Sequence, residues 1–247
     1  MTRPVLITGS TGAIGGAICR KLHSRGYLPV LHYSSNREAA FELAREFGEP
    51  DAMIHADLLS ESGASTLWAE VVKRFGPPVG LVNNAGIRVD VAFDADSSAW
   101  TAAWRRDLQL NLIAPAELCR LAVLTFRDRG GGRIVNIASR AGQRGFSENA
   151  LSYGASKAGL INLTKSIARS FGGQNIVCTA IAPGFVDTPL ASDFLSKNPN
   201  STALAEIPVG VMVKPDEIAE LVAYCMSESN VSINGSTIDI NGGSYMR

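Results

Sequence analysis

The chain has 247 residues, of which 46% are hydrophobic, and its 23 basic and 23 acidic side chains give a formal net charge of zero. This length suits one α/β domain with a substantial core, and a balanced charge without long runs of one sign argues against nucleic acid or an anionic membrane as a partner. The four cysteines are far apart and form no C-x-x-C pair or ligand cluster, so we predict buried reduced thiols, no metal site and a small-molecule partner.

Short β-branched runs alternate with longer helical patterns along the whole chain, without an apolar leader or an uninterrupted apolar run of about eighteen residues, so we expect a cytoplasmic protein. The predicted strands are Val5 to Thr8, Leu28 to Tyr33, Ala52 to Ala56, Leu81 to Asn83, Arg133 to Ala138, Ile176 to Ile181 and Thr237 to Ile240. Apolar spacing of three and four residues predicts helices over Ala13 to Arg25, Arg37 to Phe47, Ser65 to Phe75, Trp100 to Arg127, Ser156 to Phe171 and Pro215 to Met226. Because the strands are hydrophobic throughout, both faces of the sheet should be covered. We therefore predict one α/β domain over residues 1–247, with a doubly wound, parallel, seven-stranded sheet and helices on both faces.

The first strand ends in a glycine-rich turn, T-G-S-T-G-A-I-G-G, and a helical pattern follows. Glycines in such a turn let the backbone approach a pyrophosphate, whose charge is favoured by the N–H groups and dipole of a helix N-terminus. A plain tight turn is the alternative, but the position between a strand and a helix favours a dinucleotide site. The predicted cofactor-binding residues in this turn are Gly9, Ser10, Thr11, Gly12, Ala13, Ile14 and Gly15.

The second strand runs into the segment H-Y-S-S-N-R, which has no carboxylate where NAD enzymes usually carry one for the ribose diol. Ser34 and Ser35, beside Tyr33, can donate hydrogen bonds, and Arg37 can pair with a 2′-phosphate. The segment therefore favours NADP(H), with Arg37 as a merely solvated residue of the first helical turn as the alternative.

Two later segments are also candidate ligand contacts. Asp57 and Leu58 follow the third strand and are placed to meet the adenine, although Asp57 is equally suited to cap the next helix. The stretch from Asp187 to Pro208 is long, irregular and rich in Ser, Asn and Pro. Loops of this length are usually functional or disordered, so we predict a substrate lid over residues 187–208, with a surface insertion as the alternative.

The segment Y-G-A-S-K, from Tyr153 to Lys157, comes fourteen residues after Ser139, which ends the apolar run I-V-N-I-A-S. On a helix, residues four apart share a face, so Lys157 can lie beside Tyr153 and lower its pKa toward working pH. Such a tyrosine can exchange a proton with a carbonyl or alcohol oxygen while a neighbouring hydroxyl holds that oxygen. The spacing alone is weak evidence, since a Tyr–Lys pair also arises by chance. The chemistry indicated is carbonyl–alcohol interconversion.

Together these segments resemble the short-chain dehydrogenase/reductase superfamily, in its single-domain branch, over nearly the whole chain. The family's blocks occur in order: the glycine turn, N-N-A-G at Asn83 to Gly86, Asn111 in L-N-L, Ser139, Y-x-x-x-K, and P-G-F-V-D-T at Pro183 to Thr188. The resemblance implies a Rossmann-type fold and hydride transfer with a nicotinamide cofactor.

The resemblance also implies a role for each matching residue. Tyr153 would be the general acid/base and Ser139 would orient the substrate carbonyl. Lys157 would bind the nicotinamide ribose and lower the pKa of Tyr153, and Asn111 would hold a water in a proton relay rather than only bend its helix. Further cofactor contacts would come from Asn84, Ala85, Gly86, Pro183, Gly184, Val186 and Thr188, besides Tyr153 and Lys157. The family usually has Gly where this chain has Ala13, a variation that related turns tolerate.

Within the superfamily, the chain looks most like 3-oxoacyl-[acyl-carrier-protein] reductases and acetoacetyl-CoA reductases, as in the terminal I-D-I-N-G-G block. This implies NADPH-dependent reduction of a 3-oxoacyl thioester in fatty acid biosynthesis, with acyl carrier protein as a possible partner, and a homotetramer. Carrier-protein reductases typically dock the acidic carrier on arginines near the active-site mouth. Arg129 lies near one such place, but Gln174 stands where the other arginine would fall. Reduction of another small ketone therefore stays open, as does a less favoured non-catalytic dinucleotide-binding module.

Overall fold

The seven predicted strands are present in the computed structural model, which describes residues 3–197 and 202–247. They are β1 (Pro4–Ile7), β2 (Leu28–Tyr33), β3 (Met53–His55), β4 (Gly80–Asn83), β5 (Gly132–Ile137), β6 (Ile176–Pro183) and β7 (Thr237–Ile240). They pair in parallel in one sheet of order β3-β2-β1-β4-β5-β6-β7. The predicted parallel, Rossmann-type fold is confirmed.

Helices connect the strands and cover both faces of the sheet. Within the described residues they are α1 (Ala13–Ser24), α2 (Arg37–Glu46), α3 (Gly63–Phe75), α4 (Ser97–Leu108), α5 (Ala114–Asp128), α6 (Ala141–Arg144), α7 (Leu151–Phe171), α8 (Pro189–Lys197) and α9 (Pro215–Met226). From β1 the chain builds the sheet outward to β3, then returns to the other side of β1 for β4 to β7. The order therefore reverses between β1 and β4, and the crevice outside their carboxyl ends is where open α/β sheets bind ligands.

Alternate strand side chains enter two hydrophobic clusters, one on each face of the sheet. Leu6 and Leu81 pack with residues of α3, α5 and α7, whereas Val5 and Val82 pack with residues of α1 and α9. Because both faces are buried, the strands are apolar at successive positions instead of every second one. Each fully buried Leu or Ile side chain contributes about 1.5–3 kcal/mol to this core.

The single helix predicted from Trp100 to Arg127 is wrong in one respect. The structure divides it into α4 and α5, joined by the π-helical turn Gln109–Ile113. Such a turn accommodates one extra residue in the helical ladder, and turns of this kind often occur at functional sites. Apolar spacing could not reveal it, because the spacing on either side is regular.

The combined helical stretch Ser97–Asp128 is long and apolar enough to cross a membrane by length and composition alone. This is weak evidence, since a core helix passes the same criterion. Leu118, Ala122 and Phe126 of α5 have no exposed surface and belong to the cluster beneath the sheet. The apolar character of α5 is thereby explained by packing.

Three further helices differ from the prediction. Helix α7 begins at Leu151 rather than Ser156, so Tyr153 lies in its first turn. The short helix α6 and the helix α8 were not predicted. Helix α8 falls inside the stretch predicted to be irregular, Asp187 to Pro208, and residues 198–201 of that stretch lie outside the described residues. The substrate-lid role of 187–208 stays a prediction.

All four cysteines are buried and free. Burial raises the pKa of the Cys119 and Cys225 thiols to about 12, so neither is a reactive thiolate near neutral pH. Among the described residues, no group of three or more His, Cys, Asp or Glu side chains could hold a metal ion.

Candidate active site

The glycine turn between β1 and α1 is shaped by two close backbone approaches. Gly9 has a φ of +66°, and a Cβ added there would lie 2.9 Å from the Cα of Ala85. A Cβ on Gly15 would lie 2.2 Å from the carbonyl oxygen of Gly9. These two glycines let the turn pack against the end of β4, whereas a Cβ on Gly12 would meet nothing closer than 3.6 Å.

The outer part of the turn is open to solvent. Gly12 and Ala13 are exposed, Thr11 and Ile14 are half-buried, and Gly12 precedes α1 without a side-chain cap. An uncapped helix start of this kind favours an anion such as a pyrophosphate. The described turn therefore fits the predicted cofactor residues Thr11, Gly12, Ala13 and Ile14.

Ser10 differs from its neighbours because both of its donors are already used. Its backbone N–H and its hydroxyl donate to the carbonyl oxygen of His32, at 3.0 Å and 2.8 Å. Ser10 is fully buried. Ser10 therefore fixes the turn to β2. Neither its N–H nor its hydroxyl proton is free for the predicted cofactor contact.

His32 is the second link between the turn and the sheet. Its Nδ1 accepts a hydrogen bond from the Gly9 N–H at 3.0 Å, and its Nε2 lies 3.1 Å from the carbonyl oxygen of Ala56. Because Nδ1 accepts, the proton of the neutral ring is on Nε2 and is donated to Ala56. Burial lowers the pKa of His32 to about 4. The neutral ring thus joins the glycine turn to the loop after β3.

The segment after β2 presents polar side chains at the same edge of the sheet. Tyr33 is buried and packs against His55, with ring centroids 5.5 Å apart, while Ser34 and Ser35 are exposed. Arg37 is the exposed first residue of α2, and no hydrogen bond or ion pair within the described part of the chain occupies its guanidinium. A free guanidinium at this place can bind a phosphate.

Asp57 and Leu58 follow β3 but contribute differently. Asp57 is exposed, and its Oδ1 accepts a hydrogen bond from the Leu59 N–H, so it forms a local turn. Helix α3 begins six residues later, after Ser62, so Asp57 is not its N-cap. The Leu58 side chain is buried in the core, which leaves only its backbone for the predicted cofactor contact.

The N-N-A-G block is held by Thr8. The Thr8 hydroxyl oxygen accepts hydrogen bonds from the N–H groups of Asn84 and Ala85, both at 2.9 Å. The Asn84 side chain donates to the carbonyl oxygens of Thr8 and Gly9. Thr8 was not among the predicted site residues, and its signal was its place at the end of β1, opposite β4.

Asn111 ties the π-helical turn to the loop after β4 and to α7. Its side-chain oxygen accepts from the Ile87 N–H at 2.9 Å, and its amide nitrogen donates to the Ile87 carbonyl at 2.9 Å and to Ser156 Oγ at 3.1 Å. A Cβ added at Gly86 would lie 3.1 Å from Asn111 Oδ1 and 3.3 Å from Lys157 Nζ. Asn111, Gly86 and Lys157 are therefore neighbours, and a water held by Asn111 stays a prediction.

Ser139 and Tyr153 meet at the carboxyl end of β5. The Ser139 hydroxyl is close enough to Tyr153 to lower the pKa of the phenol, and Ser139 Oγ accepts a hydrogen bond from the Ala141 N–H at 3.1 Å. The Phe146 ring packs edge-on against Tyr153, and the guanidinium of Arg88 lies 5.8 Å from the Phe146 centroid. Arg88 follows the N-N-A-G block, and Phe146 lies in the segment between Ser139 and Tyr153; neither was among the predicted site residues.

Burial raises the pKa of Tyr153, while the nearby Ser139 hydroxyl and the charge of Arg88 oppose that rise, and Lys157 is not among the groups that lower it. The expectation that Lys157 lowers this pKa is therefore not met in the structure. Lys157 Nζ lies 5.9 Å from the centroid of the Tyr153 ring and donates to the Ile137 carbonyl at 2.9 Å. Burial lowers the pKa of Lys157 itself to about 8. The phenol is therefore protonated near neutral pH, which is the state that can donate a proton to a carbonyl oxygen.

The Pro183 to Thr188 block leaves the carboxyl end of β6. Gly184 packs so tightly on Asn241 that an added Cβ would lie 2.7 Å from the Asn241 Cβ. Val186 forms a bridge with Val213, and the Thr188 hydroxyl accepts from the Ala191 N–H at the start of α8. The block is thus fixed at the same edge as Ser139, and its predicted nicotinamide contacts stay predictions.

The carrier-docking positions lie elsewhere in this chain. Arg129 ends α5 just before β5 begins, and it donates to the Pro77 carbonyl at 2.9 Å. Gln174 lies in the turn just before β6 begins. Both positions are therefore at the amino edge of the parallel sheet, opposite the edge that carries Ser139 and Tyr153. The expectation that Arg129 borders the active-site mouth is not met within the chain.

Comparison with known proteins agrees with this geometry. A family model described as Enoyl-(Acyl carrier protein) reductase matches residues 9–245. The acetoacetyl-CoA reductase of Rhizobium meliloti (strain 1021) is 36% identical over 245 residues, covering 99% of both chains. The 3-oxoacyl-[acyl-carrier-protein] reductase of Aquifex aeolicus (strain VF5) is 33% identical over 243 residues, covering 97% of this chain and 96% of its own. A crystal structure of a variant actinorhodin polyketide ketoreductase with NADPH matches with a TM-score of 0.87 and 29% identity, covering 98% of this chain and 97% of that one.

Proposed function

The chain belongs to the short-chain dehydrogenase/reductase superfamily, as an oxidoreductase that uses a nicotinamide dinucleotide, and on this premise we propose that it reduces a 3-oxoacyl thioester with NADPH. The observation that carries the proposal is the proximity of the Ser139 hydroxyl to Tyr153 at the carboxyl edge of the sheet, with Lys157 one helical turn further along α7. Two hydroxyls next to a buried amine are the groups that carbonyl reduction needs.

The residues of the crevice fit the proposed cofactor. The turn at Gly9 and Gly15 brings backbone N–H groups to an uncapped helix start, which suits a pyrophosphate. The Arg37 guanidinium, which has no partner within the described part of the chain, suits a 2′-phosphate, and no carboxylate stands between Tyr33 and Arg37 to bind a ribose diol instead. These features favour NADP(H), which supplies hydride to the substrate carbon when bound.

The chain's own residues supply the proton and hold the substrate. Ser139 donates its hydroxyl proton toward the carbonyl oxygen and so fixes the carbonyl beside Tyr153. Tyr153, kept protonated by burial, delivers its phenolic proton to that oxygen as negative charge develops on it. Lys157 fixes the turn of α7 beside Tyr153 to the end of β5, through its hydrogen bond to the Ile137 carbonyl. The Phe146 ring shields one side of Tyr153 from water.

A coenzyme A thioester is the favoured substrate over an acyl-carrier-protein thioester. The acetoacetyl-CoA reductase of Rhizobium meliloti matches almost end to end. Arg129 and Gln174 lie at the edge of the sheet opposite Tyr153, and Gln174 carries no charge for an acidic carrier. Exposed apolar side chains near the block that follows β6, Val209 and Val211, suit an acyl chain.

We also propose that the chain forms a homotetramer. Ile113 is 53% exposed and Leu124 is 45% exposed, on the π-helical turn and on α5. Leu151, at the start of α7, is also exposed. A second copy covering these helices would bury all three side chains.

The test is NADPH oxidation with acetoacetyl-CoA, a 3-oxoacyl-[acyl-carrier-protein] and a simple ketone, compared at equal concentration. We expect the highest kcat/KM with acetoacetyl-CoA. Tyr153→Phe should lower kcat by about 10²- to 10⁴-fold, because the general acid is lost, while NADPH still binds. Tyr224→Phe, an exposed tyrosine on α9, is the matched control. Turnover of Tyr153→Phe at the control's rate would rule out the assignment.

A further inference from the structure

Asp107, on α4, repeats the contacts of Asn111 one helical turn earlier. Asn111 binds the loop after β4 through Ile87 and α7 through Ser156. Asp107 Oδ1 accepts from the Val89 N–H of the same loop at 3.1 Å, and its Oδ2 accepts from the Ser152 hydroxyl of α7 at 2.6 Å. Asp107 and Asn111 therefore bind the same two segments, the loop after β4 and helix α7.

The α7 residues bound by Asp107 and Asn111 are next to the candidate catalytic residues. Ser152 and Ser156 are four residues apart on α7, and each immediately precedes one of the pair Tyr153 and Lys157. The bond from Asn111 to Ser156 thus holds the turn that carries Lys157. The bond between Asp107 and Ser152 holds the turn that carries Tyr153. A further hydrogen bond from the Val91 N–H to the Asn149 carbonyl, at 2.8 Å, connects the same loop to the residues just before α7.

The carboxylate of Asp107 is costly where it lies. The residue has no exposed surface, and burial raises its pKa, which the bonds from Ser152 and Val89 oppose. A hydrophobic side chain of similar volume at a buried position is often as stabilising as a charged one, or more so. The charged and titratable groups that face Asp107 are Asp90 from the loop after β4 and Lys157 and Tyr153 from α7. Arg88, from the same loop, faces Tyr153. A buried charge coupled to two catalytic candidates indicates a functional reason for its presence.

We propose that Asp107 is a positioning residue for the reduction. Through Val89 and Ser152 it fixes the loop after β4 and the first turn of α7 on either side of Tyr153, and its negative charge favours the protonated phenol and the charged amine. This inference rests on the proposed function, and it assigns to Asp107 and Ser152 a role that none of the family blocks in the sequence covers.

Two substitutions separate the contact from the charge. In Asp107→Asn the amide oxygen can still accept from Val89, and the amide nitrogen can donate to Ser152 Oγ, so the contacts survive while the charge is lost. In Ser152→Ala the charge survives and the contact to α7 is lost. Asp96→Asn is the matched control, because Asp96 caps the same helix at its exposed start, with bonds from Ser98 and Ala99.

The charge should be visible in the pH dependence of kcat. Asp107 raises the pKa of both Tyr153 and Lys157, so removing its charge lowers both. Reduction needs the proton on Tyr153 and the charge on Lys157, so the alkaline decline of kcat should move to lower pH in Asp107→Asn, by about half a pH unit or more. Asp96→Asn should decline at the same pH as the wild type.

The contact should be visible in kcat at the optimum pH. We expect Ser152→Ala to lower kcat about tenfold with little change in the KM for NADPH, because a small misplacement of Tyr153 affects the proton transfer and leaves the cofactor crevice intact. The effects of Asp107→Asn and Ser152→Ala should be non-additive in the double variant, as for residues that share one contact. Overlapping pH profiles for Asp107→Asn and wild type, or wild-type kcat in Ser152→Ala, would overturn the inference.

A second readout keeps the inference separate from the proposed function. The absorbance of tyrosinate against pH, with the Tyr153→Phe curve subtracted, isolates the titration of Tyr153 in wild type and in Asp107→Asn. A lower pKa of Tyr153 in Asp107→Asn supports the inference even if the wild type reduces none of the ketones tested. Identical curves overturn it even if the ketones are reduced.

Discussion

The amine of Lys157 donates a 2.9 Å hydrogen bond to the backbone carbonyl of Ile137, two residues before Ser139. The bond joins α7 to the carboxyl end of β5, so the two segments that carry the hydroxyls of the site are fixed to each other. Lys157 is only 4% exposed, and no acidic side chain among the described residues forms an ion pair with it. A buried amine without an ion pair is costly to the folded state.

We expect Lys157→Met to stabilise the fold while abolishing activity. Burial lowers the pKa of Lys157 to about 8 from an ordinary value near 10.5. Between these values the unfolded chain binds more protons than the folded chain, so stability rises with pH across this window and the cost is fully present below pH 8. Removing the amine should raise the free energy of unfolding at pH 7 by up to about 3 kcal/mol.

Urea unfolding at pH 7 and pH 10 measures this effect. Lys165→Met, an exposed position on the same helix, is the control and should follow the wild type. If Lys157→Met is no more stable than the control at pH 7, the amine is not held at a cost in the folded protein.

We expect His32 to form an acid-sensitive link between the glycine turn and the sheet. Its pKa is lowered to about 4, below its ordinary value near 6.5, so the folded protein binds fewer protons than the unfolded chain between these values. The stability that the neutral ring contributes is present above pH 6.5 and is lost as pH falls toward 4, by up to about 3 kcal/mol. Unfolding of wild type and His32→Gln, from pH 7 to pH 4, should show a much smaller pH-dependent loss in the variant.

The exposed His23 provides the comparison, since His23→Gln should lose stability in parallel with the wild type. Parallel curves for His32→Gln and wild type would mean that the ring does not carry the link. Neither outcome depends on any assay of activity.

The sequence predicted the sheet well because each strand is buried on both faces, and such strands carry an unbroken apolar signal. It also placed Ser139, Tyr153 and Lys157 in one neighbourhood, because the end of a strand and one turn of a helix fix their spacing. It could not show Thr8, His32 or Asp107, whose roles depend on partners 18 to 77 residues away. It also missed the burial that raises the pKa of Tyr153, since burial depends on the packed fold.

Arg37 should decide the choice between the two nicotinamide dinucleotides. Its guanidinium is exposed at the start of α2, without a partner among the described residues, and there it can bind a 2′-phosphate that NADH lacks. Arg37→Ala should weaken NADPH binding about 10- to 100-fold, as for loss of a charge-assisted hydrogen bond, and leave NADH binding nearly unchanged. Titration calorimetry with both nucleotides measures this. Arg45→Ala, in the last turn of the same helix and paired with Glu42, should change neither affinity, and equal losses for NADPH and NADH in Arg37→Ala would contradict a phosphate contact.

Gly12 and Gly15 should respond differently to the same added methyl group. A Cβ on Gly15 would lie 2.2 Å from the Gly9 carbonyl oxygen and 2.8 Å from the Ser10 Cα, and these backbone atoms cannot move without disturbing the turn. Gly15→Ala should therefore destabilise the fold by about 1–3 kcal/mol and weaken cofactor binding with it.

A Cβ on Gly12 would be at an ordinary 3.6 Å from its nearest neighbour, on the exposed side of the turn. Gly12→Ala should keep wild-type stability and lose affinity for NADPH only, because its methyl group would stand where the backbone approaches the pyrophosphate. Thermal unfolding and NADPH titration of both variants separate the two effects, and a Gly12→Ala variant with wild-type affinity would mean that the pyrophosphate does not pass over this turn.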